Sequence, residues 1–128
     1  MSTSIELIER IYEASATGDL DALVGMAAAD LVIQQDPALP WGGRYEGPNG
    51  VVEFFQRLAG TVDTGVTTEA LFAAGDQVIQ YGRSRGTVRS NGATYDIPEC
   101  HVWTVAGDKV TDVAFFIDTA SMLEALAR

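Results

Sequence analysis

The chain has one cysteine, Cys100, and one histidine, His101. A lone cysteine excludes an intrachain disulfide and a cysteine-based metal site, and a lone histidine excludes a histidine-rich zinc centre within one chain. Basic residues are scarce: 8 Lys and Arg stand against 18 Asp and Glu, for a formal net charge of −10. Those charges are spread along the chain with no basic cluster, so neither nucleic acid nor an anionic bilayer is expected as a partner. No apolar run is long enough to span a membrane, and Met1–Glu6 lacks the basic and apolar regions of a secretion signal. The expectation is a cytoplasmic protein.

Hydrophobic residues make up 47% of 128 residues, which suffices for one domain over 1–128 with its own core. Thr17-Gly18-Asp19-Leu20-Asp21-Ala22-Leu23 reads as a helix stop followed at once by a helix start. Gly18 supplies a left-handed C-terminal cap, and Asp19 caps the next helix. Residues 4–17 place Ile5, Ile8, Ile11, Tyr12 and Ser15 on one helical face, and Leu20, Leu23, Val24 and Ala27 mark a short second helix. Leu31 to Asp36 is β-prone, and the prolines and glycines of Pro37 to Gly43 interrupt regular structure. A third helix opens at Gly47-Pro48-Asn49, with Val51, Phe54, Phe55 and Leu58 as its buried stripe.

From Val66 onward the pattern is an antiparallel meander turning at Gly75-Asp76, Asn91-Gly92 and Gly107-Asp108, closed by a helix that Asp118 caps. Helices first and a curled sheet after predict an α+β domain with a pocket between them. A turn centred on Gly107-Asp108 pairs Cys100 with Phe115 and Val102 with Val113; a two-residue turn at Asn91-Gly92 sets Tyr81 opposite Val102. One face then carries Ile79, Tyr81, Arg83, Pro98, Cys100, Val102, Val113, Phe115 and Ile117. The other carries Gln80, Glu99, His101, Trp103, Phe116 and Asp118. The first is the more apolar and is expected to face the helices, leaving Trp103 and Phe116 for solvent or a subunit interface.

This register places the acid–histidine–acid set Glu99, His101 and Asp118 outside, and reserves Asp118 for helix capping. The expected pocket groups are therefore Tyr81, Arg83 and Cys100, with Arg83 seeking Asp36, a ligand oxygen or solvent as its acceptor. Asp36 is the candidate base: an acid at the mouth of an apolar pocket has its pKa raised by desolvation. Its competing role is an Asp-Pro turn. Tyr12 is a candidate hydroxyl donor, and Trp41 a lid or plug at the mouth.

The chain resembles the nuclear-transport-factor-two-like superfamily, in particular its SnoaL-like and ketosteroid-isomerase-like members. The resemblance rests on Gly18 to Leu23, Asp36-Pro37, the Gly47-Pro48 helix start, Pro98-Glu99-Cys100-His101-Val102-Trp103 and Phe116-Ile117-Asp118-Thr119. It implies a cone-shaped α+β barrel, with N-terminal helices packed on a curved antiparallel sheet and a short C-terminal helix. Ketosteroid isomerases use an aspartate followed by proline as base, with a tyrosine and a protonated aspartic acid as oxyanion donors. Matched through Asp-Pro, Asp36 takes the base position; counted without gaps from Gly18, Gln35 takes it, and Ile11 rather than Tyr12 takes the tyrosine position. Cys100 stands where the acid donor would be. In the epoxide-hydrolase pattern Arg83 matches the arginine, while Phe115 replaces the last aspartate. What the resemblance implies is a cofactor-independent, metal-free proton transfer, cyclisation or isomerisation, on an apolar carbonyl compound. Asp36 and Tyr12 would be catalytic, and Gln35, Trp41, Tyr81, Arg83, Cys100 and Phe115 would line the pocket. The alternative is a non-catalytic binder of hydrophobic ligands, and in either case a homodimer through the outer sheet face is expected.

Overall fold

The computed structural model describes residues 3–128. Helix α1 (Ser4–Thr17) is started by a reciprocal cap in which Thr3 Oγ1 accepts from the Glu6 amide at 3.1 Å and Glu6 reaches back to the Thr3 amide. It is stopped by Gly18, whose φ of 70° lies where a Cβ is disfavoured. Asp19 then caps α2 (Leu20–Gly25) by accepting from the Ala22 amide at 3.1 Å. Both features are as the sequence predicts.

Strand β1 (Ala27–Gln35) begins earlier than its β-prone segment, taking Ala27 from the helix expected there. A short β2 (Gly43–Glu46), not foreseen, hairpins back onto it with Ile33 opposite Tyr45. Helix α3 (Gly47–Thr61) follows, with Pro in its first turn. Then come β3 (Val62–Ala74), β4 (Gln77–Val88), β5 (Thr94–Ala106), β6 (Lys109–Ile117) and α4 (Thr119–Leu126).

The six strands form one sheet in the order β2-β1-β6-β5-β4-β3. It is mixed rather than wholly antiparallel, because β1 runs parallel to β6 through Ile33 opposite Val113 and Gln35 opposite Phe115. The cone is open: β2 and β3 are free edges. Among the described residues the helices cover one face. Leu7, Ile8 and Ile11 of α1, Leu23 of α2, and Val51 and Phe54 of α3 are buried against Ile33, Val78, Val113 and Phe115. Phe54 is the hinge of this packing, stacked on Phe115 at 5.2 Å and edge-on to Tyr45 at 5.4 Å. Burying such a ring stabilises the fold by about 1.5–3 kcal/mol. Among the described residues no helix is long and apolar enough to cross a membrane.

The expected sheet faces need correction. The turn between β5 and β6 does place Ala106 opposite Lys109, but a bulge between Thr104 and Val105 adds one residue to β6. Beyond it Cys100 pairs with Phe116 and His101 with Phe115, each partner displaced by one. Between β4 and β5 the loop is longer than two residues, so Tyr81 pairs with Cys100 instead of Val102. That shift of two leaves the faces of β4 and β5 matched. The inner face therefore carries Val78, Gln80, Ile97, Glu99, His101, Trp103, Val113 and Phe115, all buried. Tyr81, Arg83, Pro98, Cys100 and Val102 lie on the outer face.

Candidate functional site

Strand alternation puts Glu99, His101 and Trp103 in a row on the inner face of β5, beneath helix α1. Glu99 and His101 are 2% and 7% exposed, so both have left water. Tyr12 descends from α1 onto this row: its Oη lies 2.6 Å from His101 Nδ1 and accepts a hydrogen bond from Trp103 Nε1 at 3.0 Å. Its ring stacks on the imidazole at 5.8 Å and meets the indole edge-on at 5.7 Å. Helical spacing explains why Tyr12 reaches inward, since it neighbours Ile8 and Ile11 on the buried side of α1.

On its far side, His101 Nε2 approaches Glu99 Oε2 to 2.9 Å. The contact is close but not aligned as a hydrogen bond, and both Glu99 oxygens lack a directed donor among the described residues. A buried carboxylate costs several kcal/mol unless paired, so its nearness to the only histidine is a strong constraint on both. Burial, with smaller contributions from the charges of Glu99 and Cys100, pushes the Tyr12 phenol far above its ordinary range, against a lowering by the Trp103 hydrogen bond. Tyr12 thus keeps its proton. Trp103 N–H can only donate to the Tyr12 oxygen; with Tyr12 as the donor to His101 Nδ1, the neutral ring carries its proton on Nε2, facing Glu99.

Beside this relay is an apolar cavity of about 30 Å³ between the helices and the sheet, walled by Ile11, Leu23, Leu31, Phe55, Trp103 and Phe115 among others. Such a volume holds about a water or two, so a larger guest needs the walls to part. Trp103 and Phe115 connect cavity and relay, because Phe115 also contacts the His101 ring edge-on at 4.7 Å.

The residues expected from sequence divide into two groups. Tyr12, Gln35 and Phe115 are on the inner side; Gln35 follows the inward alternation of Leu31 and Ile33 and accepts from Trp41 Nε1 at 3.0 Å. Trp41 is buried as a plug. Asp36 is exposed and turned into its own loop, its Oδ1 accepting from the Ala38 amide at 2.9 Å. Tyr81 is 45% exposed on the outer face, and Cys100 is half-buried there, its thiol pushed up by partial burial and by Glu99. Arg83 is engaged by Asp96, with Nε to Oδ1 at 2.7 Å, and holds that carboxyl below its usual range. Asp118 caps α4 by accepting from the Ser121 amide at 3.1 Å.

Glu99 and His101, which the expected register puts outside, are buried on the inner face together with Gln80, a residue with no distinguishing mark in the sequence. A usable signal lay in the whole of β5: Tyr95, Ile97, Trp103 and Val105 share parity with Glu99 and His101, against Asp96, Pro98 and Thr104 on the other side.

The model of the SnoaL-like domain family matches residues 8–113. No curated protein matches the chain. Among solved structures, an NTF2-like protein from Burkholderia thailandensis E264 is 30% identical over 98% of both chains, with a TM-score of 0.90. TerC, co-crystallised with polyporic acid, is 20% identical over 97% of this chain and 98% of its own, at a TM-score of 0.88. A putative polyketide cyclase from Xanthomonas campestris pv. campestris is 22% identical over 94% of each chain, at 0.83.

Proposed function

The chain belongs to the SnoaL-like domain family, and we propose that it binds an apolar carbonyl-containing small molecule and transfers a proton on it without a cofactor. The observation that carries this reading is His101 held in the interior between the Tyr12 hydroxyl and the Glu99 carboxylate. The carbonyl oxygen of the ligand takes over the Tyr12 hydrogen bond, which frees His101 Nδ1. That nitrogen then accepts the proton from the carbon next to the carbonyl. The enolate oxygen is stabilised by the Tyr12 hydroxyl, which Trp103 keeps in place, and the imidazolium by Glu99. Returning the proton to a different carbon completes an isomerisation; attack of the enolate on a second carbonyl carbon of the same molecule, whose oxygen takes the proton back from the imidazolium as its π bond opens, completes a cyclisation. The neighbours described as a putative polyketide cyclase and as co-crystallised with polyporic acid support a small organic guest.

The outer sheet face is proposed as a homodimer contact. Among the described residues no helix covers it, and Phe72, Tyr81 and Phe116 stand there 49%, 45% and 57% exposed.

The test is deuterium exchange at the carbon next to the carbonyl in a panel of cyclic ketones, followed by NMR. Wild-type protein is expected to accelerate exchange, and His101→Gln and Glu99→Gln to lose about 10²-fold or more while still binding. Binding without exchange in the wild type would make the protein a carrier of apolar ligands. Loss of exchange in Asp36→Asn, with His101→Gln unaffected, would return the base to the loop after β1.

A further inference from the structure

The inner face of the sheet holds buried hydrogen-bond acceptors that lack donors among the described residues. Gln80 is fully buried; its Nε2 donates to Thr68 Oγ1 at 3.1 Å, and its Oε1 has no partner among the described residues. Glu99 Oε1 is likewise without a donor among the described residues, and Oε2 has only the unaligned His101 Nε2 at 2.9 Å. The two residues are close in the sheet: Gln80 stands directly opposite His101, and Glu99 is the next inner residue along β5. The position opposite Glu99 is Gly82, where the Thr67 carbonyl of β3 stands in the place of a β4 side chain. Buried acceptors without donors are rare, because each has surrendered its hydration with nothing in return.

Their position relative to the cavity is ordered. Along β5 the inner row runs Trp103, His101, Glu99, from the cavity wall to the acceptors in two steps of about 7 Å each. A ligand whose apolar body fills the cavity and whose carbonyl reaches Tyr12 and His101 brings its next substituent to Gln80 and Glu99.

We infer that this site selects a ligand bearing a hydroxyl close to its carbonyl or aromatic ring, and that Gln80 Oε1 with the Glu99 carboxylate is the subsite receiving that hydroxyl. A bare ketone or a methyl ether in the same pose leaves the acceptors unpaired. A neutral hydroxyl fits better than an ammonium group, since the rest of the guest's surroundings are apolar side chains. This selectivity rests on the proposed pocket and names the class of molecule it takes.

The experiment is a matched pair of probes, 2-naphthol and 2-methoxynaphthalene, titrated into the full chain by calorimetry and followed by amide NMR. Wild-type protein is expected to bind the hydroxylated probe at least about tenfold more tightly, with shifts at Gln80, Glu99 and His101. Gln80→Leu, close in shape, is expected to shrink that preference while retaining the ether. Equal affinity for the two probes in the wild type overturns the subsite and leaves the pocket standing; that is also the result if a bound water already satisfies the acceptors. Binding of neither probe overturns the pocket and the subsite together. Should Gln80→Leu not fold, the comparison of the two probes in the wild type decides alone.

Discussion

Tyr12 Oη and His101 Nδ1 lie 2.6 Å apart across 89 residues of sequence, and this contact couples the phenol proton to the tautomer of the imidazole. Trp103 donates to the same phenol oxygen, and the proposed proton transfer needs the phenol proton to have the imidazole as its acceptor. The expected outcome in ¹⁵N NMR of the neutral ring is a protonated Nε2 and a bare Nδ1. Tyr12→Phe removes the preference, because Nδ1 then loses its donor. A major species protonated at Nδ1 in the wild type would reverse the relay and remove Nδ1 as a proton acceptor.

Tyr12 also makes stability sensitive to alkali. Its folded-state pKa is raised above the ordinary 10.0, chiefly by burial. The unfolded chain releases that proton near the ordinary value while the folded chain still holds it. Stability from this group is therefore complete below the unfolded value and declines as pH rises above it. Urea midpoints should be level at neutral pH and fall above about pH 10, and Tyr12→Phe should flatten that alkaline limb. A limb as steep in Tyr12→Phe as in wild type would show the loss to arise elsewhere.

Local signals in the sequence were enough to place the helices. Gly18 could only end a helix at the spot where Asp19 could only start one, and Pro48 opened α3 on schedule. The inner face was not legible, because it hangs on one bulge between Thr104 and Val105. A single extra residue reverses every side chain beyond it relative to the partner strand. Phe115 was therefore read correctly as inward while Cys100 was given as its partner, when the strand in fact presents His101 there. Asp36 misled for a related reason. The Asp-Pro pair is a strong local pattern, but Gln35 holds the inward parity of Leu31 and Ile33, and Asp36 satisfies the Ala38 amide instead. Burial of polar side chains such as Gln80 is set by what α1 and β3 lay over them, which no local pattern encodes.

At the other end of the pH scale, α4 depends on Asp118. Its carboxylate accepts from the Ser121 hydroxyl at 2.7 Å and from the Ser121 amide at 3.1 Å, which holds its pKa below the ordinary 3.8. A lowered folded pKa gives stability that is present above the unfolded value and lost as pH falls through the folded one. Acid titration should loosen α4 first, seen as accelerated amide exchange at Met122 and Ala125, whose side chains seal the core. Asp118→Ala should show that exchange already at neutral pH, with Tm lower by a few degrees. Unchanged exchange at Met122 in Asp118→Ala would show that packing alone holds the helix.

Trp103 and Phe116 make the sharpest comparison, since both were expected on one surface and the fold separates them. Trp103 is 4% exposed within the relay, whereas Phe116 is 57% exposed on the uncovered face. Phe116→Glu places a charge where a second copy would sit and leaves the core untouched. It should fold with wild-type near-ultraviolet dichroism and sediment as a monomer at micromolar concentrations where wild type is dimeric. Trp103→Glu instead removes the donor to Tyr12 and buries a carboxylate near Glu99, at a cost of about 3–5 kcal/mol or more. It should unfold rather than dissociate, losing the cooperative urea transition at any protein concentration. A wild type that is monomeric at micromolar concentrations, or a Phe116→Glu variant that stays dimeric, would remove the centre of this face as the contact. A folded, monomeric Trp103→Glu would contradict the buried position of the indole on which the relay depends.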